Sequence, residues 1–83
     1  MSATPTIKVY SKPQCQQCTA TKSYLKSRGL PFEELEILDP DNLALVQSLG
    51  HQAAPVVIDG EHNWSQFRPD LLDAAVERRR LAE

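Results

Sequence analysis

The stretch S-K-P-Q-C-Q-Q-C, residues 11–18, places two cysteines where a predicted strand and loop lead into a predicted helix, the first step of a strand–helix–strand unit. Cys15 and Cys18 are the only cysteines of the chain, and just two residues separate them. A disulfide between such close neighbours closes too small a loop to staple a secreted fold. The pair therefore indicates chemistry rather than structural cross-linking.

The helix after the first cysteine predicts different roles for the two sulfurs. It is expected over residues 15–28, because the segment is rich in helix formers and Gly29 can take the left-handed position that ends a helix. Cys15 then lies at the helix N-terminus, where free N–H groups and the helix dipole stabilise a thiolate and lower its pKa. Cys18 lies one turn further on, within reach of a mixed disulfide on Cys15. We expect Cys15 to be the nucleophile and Cys18 the resolving thiol.

The residues around the pair leave its electrostatics open. Lys12 precedes Cys15 by three residues and Lys22 follows Cys18 by one helical turn. Either lysine can add positive charge beside the sulfurs or point into water. Gln16 and Gln17, between the cysteines, are uncharged and neither raise nor lower the local potential strongly.

The segments further out predict an α/β architecture. Residues 6–10 alternate apolar and polar side chains, Asp39 and Pro40 form a helix start, and Asp59-Gly60 is a hairpin-turn signal. The order β-α-β-α-β-β-α predicts the thioredoxin fold, a four-stranded mixed sheet flanked by three helices, with the first two strands parallel and the hairpin antiparallel to them. Strands are expected at residues 6–10, 32–38, 55–58 and 61–64. Helices are expected at residues 15–28, from Asp39 to Gly50, and from Arg68 onward. The apolar side of the second helix is expected to consist of Leu43, Leu45, Val46 and Leu49.

Length and charge exclude several classes of protein. A chain of 83 residues leaves room for one domain, residues 1–83. Its net charge of -2 offers no strong positive field to nucleic acid or to an anionic membrane. No apolar run approaches the ~20 residues that span a bilayer, and residues 1–6 lack the features of a signal peptide. We expect a cytoplasmic protein with neither a nucleic-acid nor a membrane partner.

Two other features of the sequence have alternative interpretations. The cysteine spacing also fits half of a zinc site, but His51 and His62 do not form a usual second half, so no metal is expected. The three arginines at residues 78–80 could bind an anion. They also complement the negative end of the last helix dipole, so we expect them to be solvated there.

Three motifs together resemble the NrdH-redoxins, which are glutaredoxin-like electron donors to a class of ribonucleotide reductase. They are S-K-P-Q-C-Q-Q-C at residues 11–18, A-A-P-V-V at residues 53–57 and W-S-Q-F-R-P-D at residues 64–70. The resemblance covers nearly the whole chain and implies that Cys15 attacks a disulfide of the ribonucleotide reductase large subunit while Cys18 resolves. It further implies recharging by thioredoxin reductase, which uses NADPH itself, so that this chain, expected to be a monomer, binds no cofactor.

The resemblance also implies where a partner binds. The Ala54–Pro55 bond would be cis, which leaves the backbone of Ala54 free to hydrogen-bond an extended peptide beside Lys12, Gln16 and Gln17. In the loop before the last helix, the family presents an aromatic and polar surface next to the cysteines. Trp64 and Phe67 are alternatively core residues, and Gln66 stands where the family usually has glycine. The residues of this loop that match the family's partner surface are Trp64, Ser65, Phe67 and Arg68.

Two other functions remain open at this point. Ordinary glutaredoxins share the fold and the pair but use glutathione, and their glutathione-binding features are replaced here by Gln17, Ala53-Ala54 and Ser65-Gln66. A non-catalytic thioredoxin-like adaptor is the second alternative.

Overall fold

The computed structural model describes the backbone of residues 6–82 and the side chains of residues 6–81. The predicted order of elements is confirmed. Residues 1–5, which hold most of the segment considered above for a signal peptide, lie outside the described residues. The elements are β1 Ile7–Ser11, α1 Gln16–Ser27, β2 Phe32–Glu36, α2 Pro40–Ser48, β3 Val56–Asp59, β4 His62–Ser65 and α3 Pro69–Ala82.

The four strands form one mixed sheet in the order β2-β1-β3-β4. β1 runs parallel to β2, with Ile7 opposite Phe32, and antiparallel to β3, with Val9 opposite Val57. β3 and β4 form the predicted antiparallel hairpin. This is the topology of the thioredoxin fold. The cysteines lie at the end of the sheet where β1 stops and α1 begins.

Helices cover both faces of the sheet. Because neighbouring residues of a strand point to opposite faces, a strand such as β1 contributes side chains to both apolar layers. Val9 and Tyr10 in β1, and Val57 and Val56 in β3, divide between two apolar clusters. The first cluster lies under α1 and α3 and contains Ile7, Val9, Leu25, Val57, Trp64, Leu72 and Ala75. The second lies under α2 and contains Tyr10, Ile37, Val46 and Val56.

Short sequence signals correctly predicted where most helices and strands begin or end. The side-chain oxygen of Asp39 accepts a hydrogen bond from the backbone N–H of Asp41 over 3.0 Å and caps α2. Gly29 and Gly50 follow their helices with φ of 69° and 88°, the left-handed conformation that favours glycine. β2 is shorter than predicted and ends at Glu36, the partner of the last residue of β1.

The apolar side predicted for α2 is wrong in part. Val46 is buried, but Leu45 and Leu49 are 42% and 39% exposed. The reason is that this helix has nine residues and turns only a narrow stripe toward the sheet. Leu38, predicted to end β2, also lies on the surface, with 64% of its area exposed.

The prediction that the C-terminal arginines are solvated is wrong for Arg78 and Arg79. Nη2 of Arg78 lies 2.6 Å from Oδ2 of Asp59, and Nη2 of Arg79 lies 2.8 Å from Oδ1 of the same carboxylate. Asp59 is only 3% exposed and ends β3 instead of turning the hairpin. A buried carboxylate requires charged partners, and α3 supplies them. Arg80 remains on the surface, where its Nη1 lies 3.5 Å from Oε2 of Glu77.

No helix among residues 6–82 combines the length and the apolar character needed to cross a membrane.

Candidate active site

Cys15 is the residue that caps α1. Its backbone is extended, with φ of -115° and ψ of 107°, and its sulfur accepts a hydrogen bond from the backbone N–H of Cys18 over 3.1 Å. A disulfide joins the two residues, whose Cα atoms are 5.2 Å apart. The strand–loop–helix sequence therefore places the first sulfur against a free N–H at the positive end of the helix, where a thiolate is stabilised.

The two cysteines differ in burial. Cys18 is 1% exposed and forms part of the interior, whereas Cys15 is half-buried and reaches the surface. A partner protein can approach only a sulfur that is accessible from solvent. The geometry favours Cys15 as the sulfur that meets a partner and Cys18 as the one that acts from within.

Lys22, which the sequence left either beside the pair or in water, is held by Glu34 of β2. Its Nζ lies 2.7 Å from Oε2 of Glu34, and the hydroxyl of Ser11 donates to the same oxygen over 2.8 Å. The hydrogen bond from Lys22, followed by the one from Ser11, holds the pKa of the Glu34 carboxyl below its usual value. These residues line one surface groove together with Cys15 and Cys18, which we call the Glu34 groove.

Lys12 lies on the surface between this groove and a second one. No ion pair of Lys12 is found within residues 6–82, so its ammonium group is available to a partner. The sequence prediction that it adds positive charge beside the cysteines stays a prediction.

The Ala54–Pro55 peptide bond is cis, as the family resemblance implies. Pro55 is buried and Ala54 half-buried, just before β3. The carbonyl oxygen of Pro55 accepts a hydrogen bond from the backbone N–H of Gln66 over 2.7 Å. This bond ties the loop between β4 and α3 to the segment around the cis bond.

Gln17 makes a contact that sequence reasoning missed. Its side-chain oxygen accepts a hydrogen bond from the backbone N–H of Phe67 over 2.9 Å, which connects the cysteine motif to the loop before α3. Gln16, its neighbour, is exposed. No local signal marks Gln17, because its partner lies 50 residues away in the chain.

The aromatic residues of the loop divide between core and surface. Trp64 is 6% exposed and belongs to the cluster under α1 and α3, which favours the core interpretation for it. Its indole N–H is buried without a hydrogen-bond partner in the described part of the chain. Phe67 is half-buried, packs against the same cluster and meets the Tyr24 ring edge-on, with ring centres 5.9 Å apart. Only part of Phe67 is therefore open to a partner.

The polar residues of the loop lie nearer the surface. Ser65 is half-buried at the end of β4, and Arg68 is exposed and pairs with Asp70 over 3.0 Å. Gln66 is exposed and has a φ of 70°. This conformation costs a side-chain-bearing residue about 1 kcal/mol relative to glycine, so the departure from the family pattern at Gln66 strains the loop.

The second groove runs from the cysteine motif past Ala54 toward α2, and we call it the Ala54 groove. Its apolar lining includes Leu38, Leu43 and Val46. Its rim carries four glutamines, and the charged or titratable side chains that line it are Lys12 and His51. A groove of this kind suits an extended, uncharged or acidic segment of polypeptide. The four glutamines are Gln17, Gln47, Gln52 and Gln66.

The two histidines are not gathered with other metal-binding side chains. His51 donates from Nε2 to the side-chain oxygen of Asn63 over 2.6 Å, and His62 is exposed in β4. Among residues 6–82, no group of three or more His, Cys, Asp or Glu side chains is arranged to hold a metal ion.

Known proteins with similar sequences include glutaredoxin-like proteins, and one similar structure is that of a glutaredoxin-like protein. The family model described as glutaredoxin matches residues 7–63. The glutaredoxin-like protein NrdH of Salmonella typhimurium is 40% identical over 68 residues, which cover 81% of this chain and 84% of that protein. NrdH of Lactococcus lactis is 36% identical over 67 residues, which cover 80% of this chain and 93% of that protein. The structure of the glutaredoxin-like NrdH-redoxin from Escherichia coli superimposes with a TM-score of 0.81 at 35% identity, covering 84% of this chain and 93% of that one.

Proposed function

Because the chain belongs to the glutaredoxin family and groups there with the NrdH-redoxins, we propose that it carries electrons from thioredoxin reductase to the large subunit of a ribonucleotide reductase. The chain is a disulfide oxidoreductase of the redoxin type, with Cys15 and Cys18 as its redox-active pair. The two protein partners are the part that we propose. The role would place the protein in deoxyribonucleotide synthesis.

The observation that carries the redox mechanism is the unequal placement of the two sulfurs, whereas the two partners are proposed from the family. Cys15 is accessible and caps α1, whereas Cys18 is 1% exposed one turn further in. A pair so arranged can open toward a partner at one sulfur and close again from the other. We assign Cys15 as the nucleophile and Cys18 as the resolving thiol on this basis.

The reaction then proceeds in two exchanges. The Cys15 thiolate attacks one sulfur of the partner's disulfide, and the other partner sulfur leaves as a thiolate that takes up a proton. The Cys18 thiolate next attacks the sulfur of Cys15, and the partner is released with both of its cysteines reduced. Two electrons have moved to the partner, and this chain is left with the Cys15–Cys18 disulfide. Thioredoxin reductase restores the dithiol by the same exchanges in reverse.

Thioredoxin reductase is preferred to glutathione as the electron source for two reasons. The E. coli NrdH-redoxin structure is described as the basis of a thioredoxin-like activity profile. In this chain, the place of the tyrosine that glutaredoxins carry in the cysteine motif is taken by Gln17, whose side-chain oxygen is engaged with Phe67. NADPH would act on the reductase, so this chain needs no bound cofactor of its own. We further propose that it works as a single-domain monomer in the cytoplasm.

The partner would lie across the surface next to Cys15. We expect the backbone of Ala54, beside the cis bond, to pair with an extended segment, as in a strand addition. Lys12, Gln16 and Arg68 are exposed around this region, and Phe67 offers part of an aromatic ring. These residues form the proposed partner surface, and Trp64 contributes to it only by supporting the loop from the core.

The test is a coupled assay with two electron sources. The protein is supplied with NADPH and thioredoxin reductase, or in parallel with NADPH, glutathione reductase and glutathione. The acceptor is the oxidised large subunit of a ribonucleotide reductase, whose return to activity is measured. We expect turnover with thioredoxin reductase and little with glutathione.

Each other result identifies one of the alternatives. Turnover that requires glutathione would make the chain an ordinary glutaredoxin. Tight binding of the large subunit with no reduction under either condition would make it an adaptor. Reduction of other disulfides but not of the large subunit would leave the oxidoreductase intact and remove the proposed partner.

A further inference from the structure

Gln66 adopts a backbone conformation that its side chain disfavours. Among residues 6–82, only two residues other than glycine have positive φ, Gln14 at 57° and Gln66 at 70°. Gln14 precedes Cys15 directly in the chain, and Gln66 is hydrogen-bonded to Pro55 of the cis bond. Strain of this kind persists where the surroundings enforce it, and it concentrates at functional sites.

The structure gives the Gln66 side chain no stabilising role. The bond that anchors this residue runs from its backbone N–H to the carbonyl of Pro55, and a glycine would make it equally well. The side chain is exposed, and no hydrogen bond of its amide group is found within the described residues. Glycine would relieve the strain, and the hydrogen bonds of the described residues give no reason for a glutamine at this position.

The side chain stands on the rim of the Ala54 groove, close to the segment where a polypeptide would pass. A carboxamide offers one acceptor oxygen and two donor hydrogens, the same kinds of group that a peptide bond presents. The rim residues that line this groove include four glutamines and no carboxylate. Such a rim can hydrogen-bond the main-chain amides of a polypeptide.

We propose that Gln66 is a specificity-determining residue, whose side-chain amide hydrogen-bonds the main chain of a disulfide-bearing polypeptide seated in the Ala54 groove. The inference rests on the oxidoreductase function and on the groove as the place where the substrate polypeptide lies. It does not depend on which protein supplies the disulfide. Substrates too small to reach Gln66 gain nothing from it.

The loop holds this amide in place before a substrate arrives. The backbone of Gln66 is fixed on one side by the 2.7 Å bond to Pro55, and the next residue, Phe67, is fixed by its 2.9 Å bond to Gln17. Because the backbone is already ordered, binding costs the freedom of one side chain only. The strain at Gln66 arises because this anchored loop imposes a positive φ on a residue that carries a side chain.

The test compares wild type with Gln66→Gly and Gln66→Glu on two substrates, insulin as a disulfide-bearing polypeptide and hydroxyethyl disulfide as a small one. The reductant is thioredoxin reductase with NADPH. If that enzyme does not serve, the protein is reduced with dithiothreitol, freed of it and mixed with substrate in single-turnover reactions, in which the half-saturating substrate concentration replaces KM and the maximal rate replaces kcat. Gln66→Gly keeps the conformation and removes the amide, so we expect the KM for insulin to rise about two- to tenfold with kcat unchanged. Gln66→Glu keeps the length and the strain but loses the donor, and its KM should also rise. Neither variant should change the rate with hydroxyethyl disulfide.

Stability separates this role from a structural one. Gln66→Gly should unfold at the same denaturant concentration as wild type or a higher one, while its KM for insulin rises. Equal KM values for insulin in all three proteins would overturn the inference and leave the proposed function standing. An equal loss of rate on both substrates would also overturn it, because the residue would then act on the cysteine pair. A wild type that reduces neither substrate would overturn the oxidoreductase function and this inference together.

Discussion

The side-chain oxygen of Gln17 accepts a hydrogen bond from the backbone N–H of Phe67 over 2.9 Å, and this single bond joins the cysteine motif to the loop before α3. Gln17→Ala removes the acceptor, so we expect a loss of about 0.5 to 1.5 kcal/mol in the free energy of unfolding. Amide hydrogen exchange at Phe67 should become faster. Chemical denaturation and exchange measured by NMR check the two effects.

Gln16→Ala is the matched control, because Gln16 is the exposed neighbour of Gln17 in the same helical turn. We expect its unfolding free energy and the exchange rate at Phe67 to match those of wild type. Equal destabilisation by the two substitutions would mean that the Gln17 bond contributes nothing specific.

The ion pairs of Asp59 give the second prediction. Asp59 is 3% exposed and binds Arg78 and Arg79 of α3, so it fixes the last helix to the end of β3. Asp59→Asn leaves two arginines without their counter-charge, and we expect a loss of about 2 to 4 kcal/mol. Glu77→Gln, which breaks the exposed pair with Arg80, should leave the denaturation midpoint unchanged. If both variants behave alike, burial does not strengthen the Asp59 pairs.

The same carboxylate predicts how stability depends on pH. Burial by itself raises the pKa of Asp59, but the hydrogen bonds from Arg79 and Arg78 outweigh it, and the pKa lies below the ordinary aspartate value. A lowered pKa stabilises the fold above the unfolded value of about 3.9, and this stability is lost as the pH falls through the folded pKa. The difference in unfolding free energy between wild type and Asp59→Asn should be constant near neutral pH and shrink below about pH 4. If the difference in unfolding free energy stays constant into strong acid, the pKa of Asp59 is not the source of the pH dependence.

The parts of this fold that the sequence predicted are those set by neighbouring residues. The cysteines at a strand–helix junction, the Asp39 cap and the left-handed Gly29 each depend on a few consecutive positions, and all were placed correctly. The parallel pairing of β1 and β2 follows from the right-handed crossover of a βαβ unit. The cis state of the Ala54–Pro55 bond came from the family resemblance and not from local propensity.

The parts that were missed depend on residues far apart in the chain. Asp59 meets Arg78 and Arg79 across 19 and 20 residues, and its burial was hidden by the turn signal of Asp59-Gly60. Gln17 meets Phe67 across 50 residues. No periodicity records such pairs, because each requires the packed positions of two elements. The exposure of Leu45 likewise depends on how α2 is rotated on the sheet.

The charge balance in the Glu34 groove gives a further prediction. Glu34 holds Lys22 at 2.7 Å, and both residues line the groove that also contains the two cysteines. Glu34→Gln removes a negative charge and leaves the Lys22 ammonium unbalanced, which favours the Cys15 thiolate. The rate of alkylation of reduced Cys15 by iodoacetamide, below the pKa of the thiol, should rise about two- to fivefold. Mass spectrometry of the modified cysteine measures it.

Lys22→Gln should lower the alkylation rate of Cys15, since it leaves the Glu34 carboxylate unbalanced. The double variant, with both charges removed, should react at nearly the wild-type rate. The effects of both single substitutions on the alkylation rate should become smaller in high salt, because the groove is open to solvent and its charges are screened. A rate that is unaffected by either substitution would show that Cys15 responds to the helix terminus alone.

The last prediction concerns the order in which the sulfurs react. Cys15 is accessible at the cap of α1 and Cys18 is 1% exposed, so a partner's disulfide meets Cys15 first. Cys15→Ser should reduce turnover to the uncatalysed rate. Cys18→Ser should still attack but cannot resolve, so a covalent mixed disulfide with the large subunit accumulates and disappears when dithiothreitol is added. Non-reducing electrophoresis detects this adduct, and peptide mapping should locate it at Cys15. An adduct at Cys18 in the Cys15→Ser protein, with none at Cys15 in the Cys18→Ser protein, would reverse the two roles.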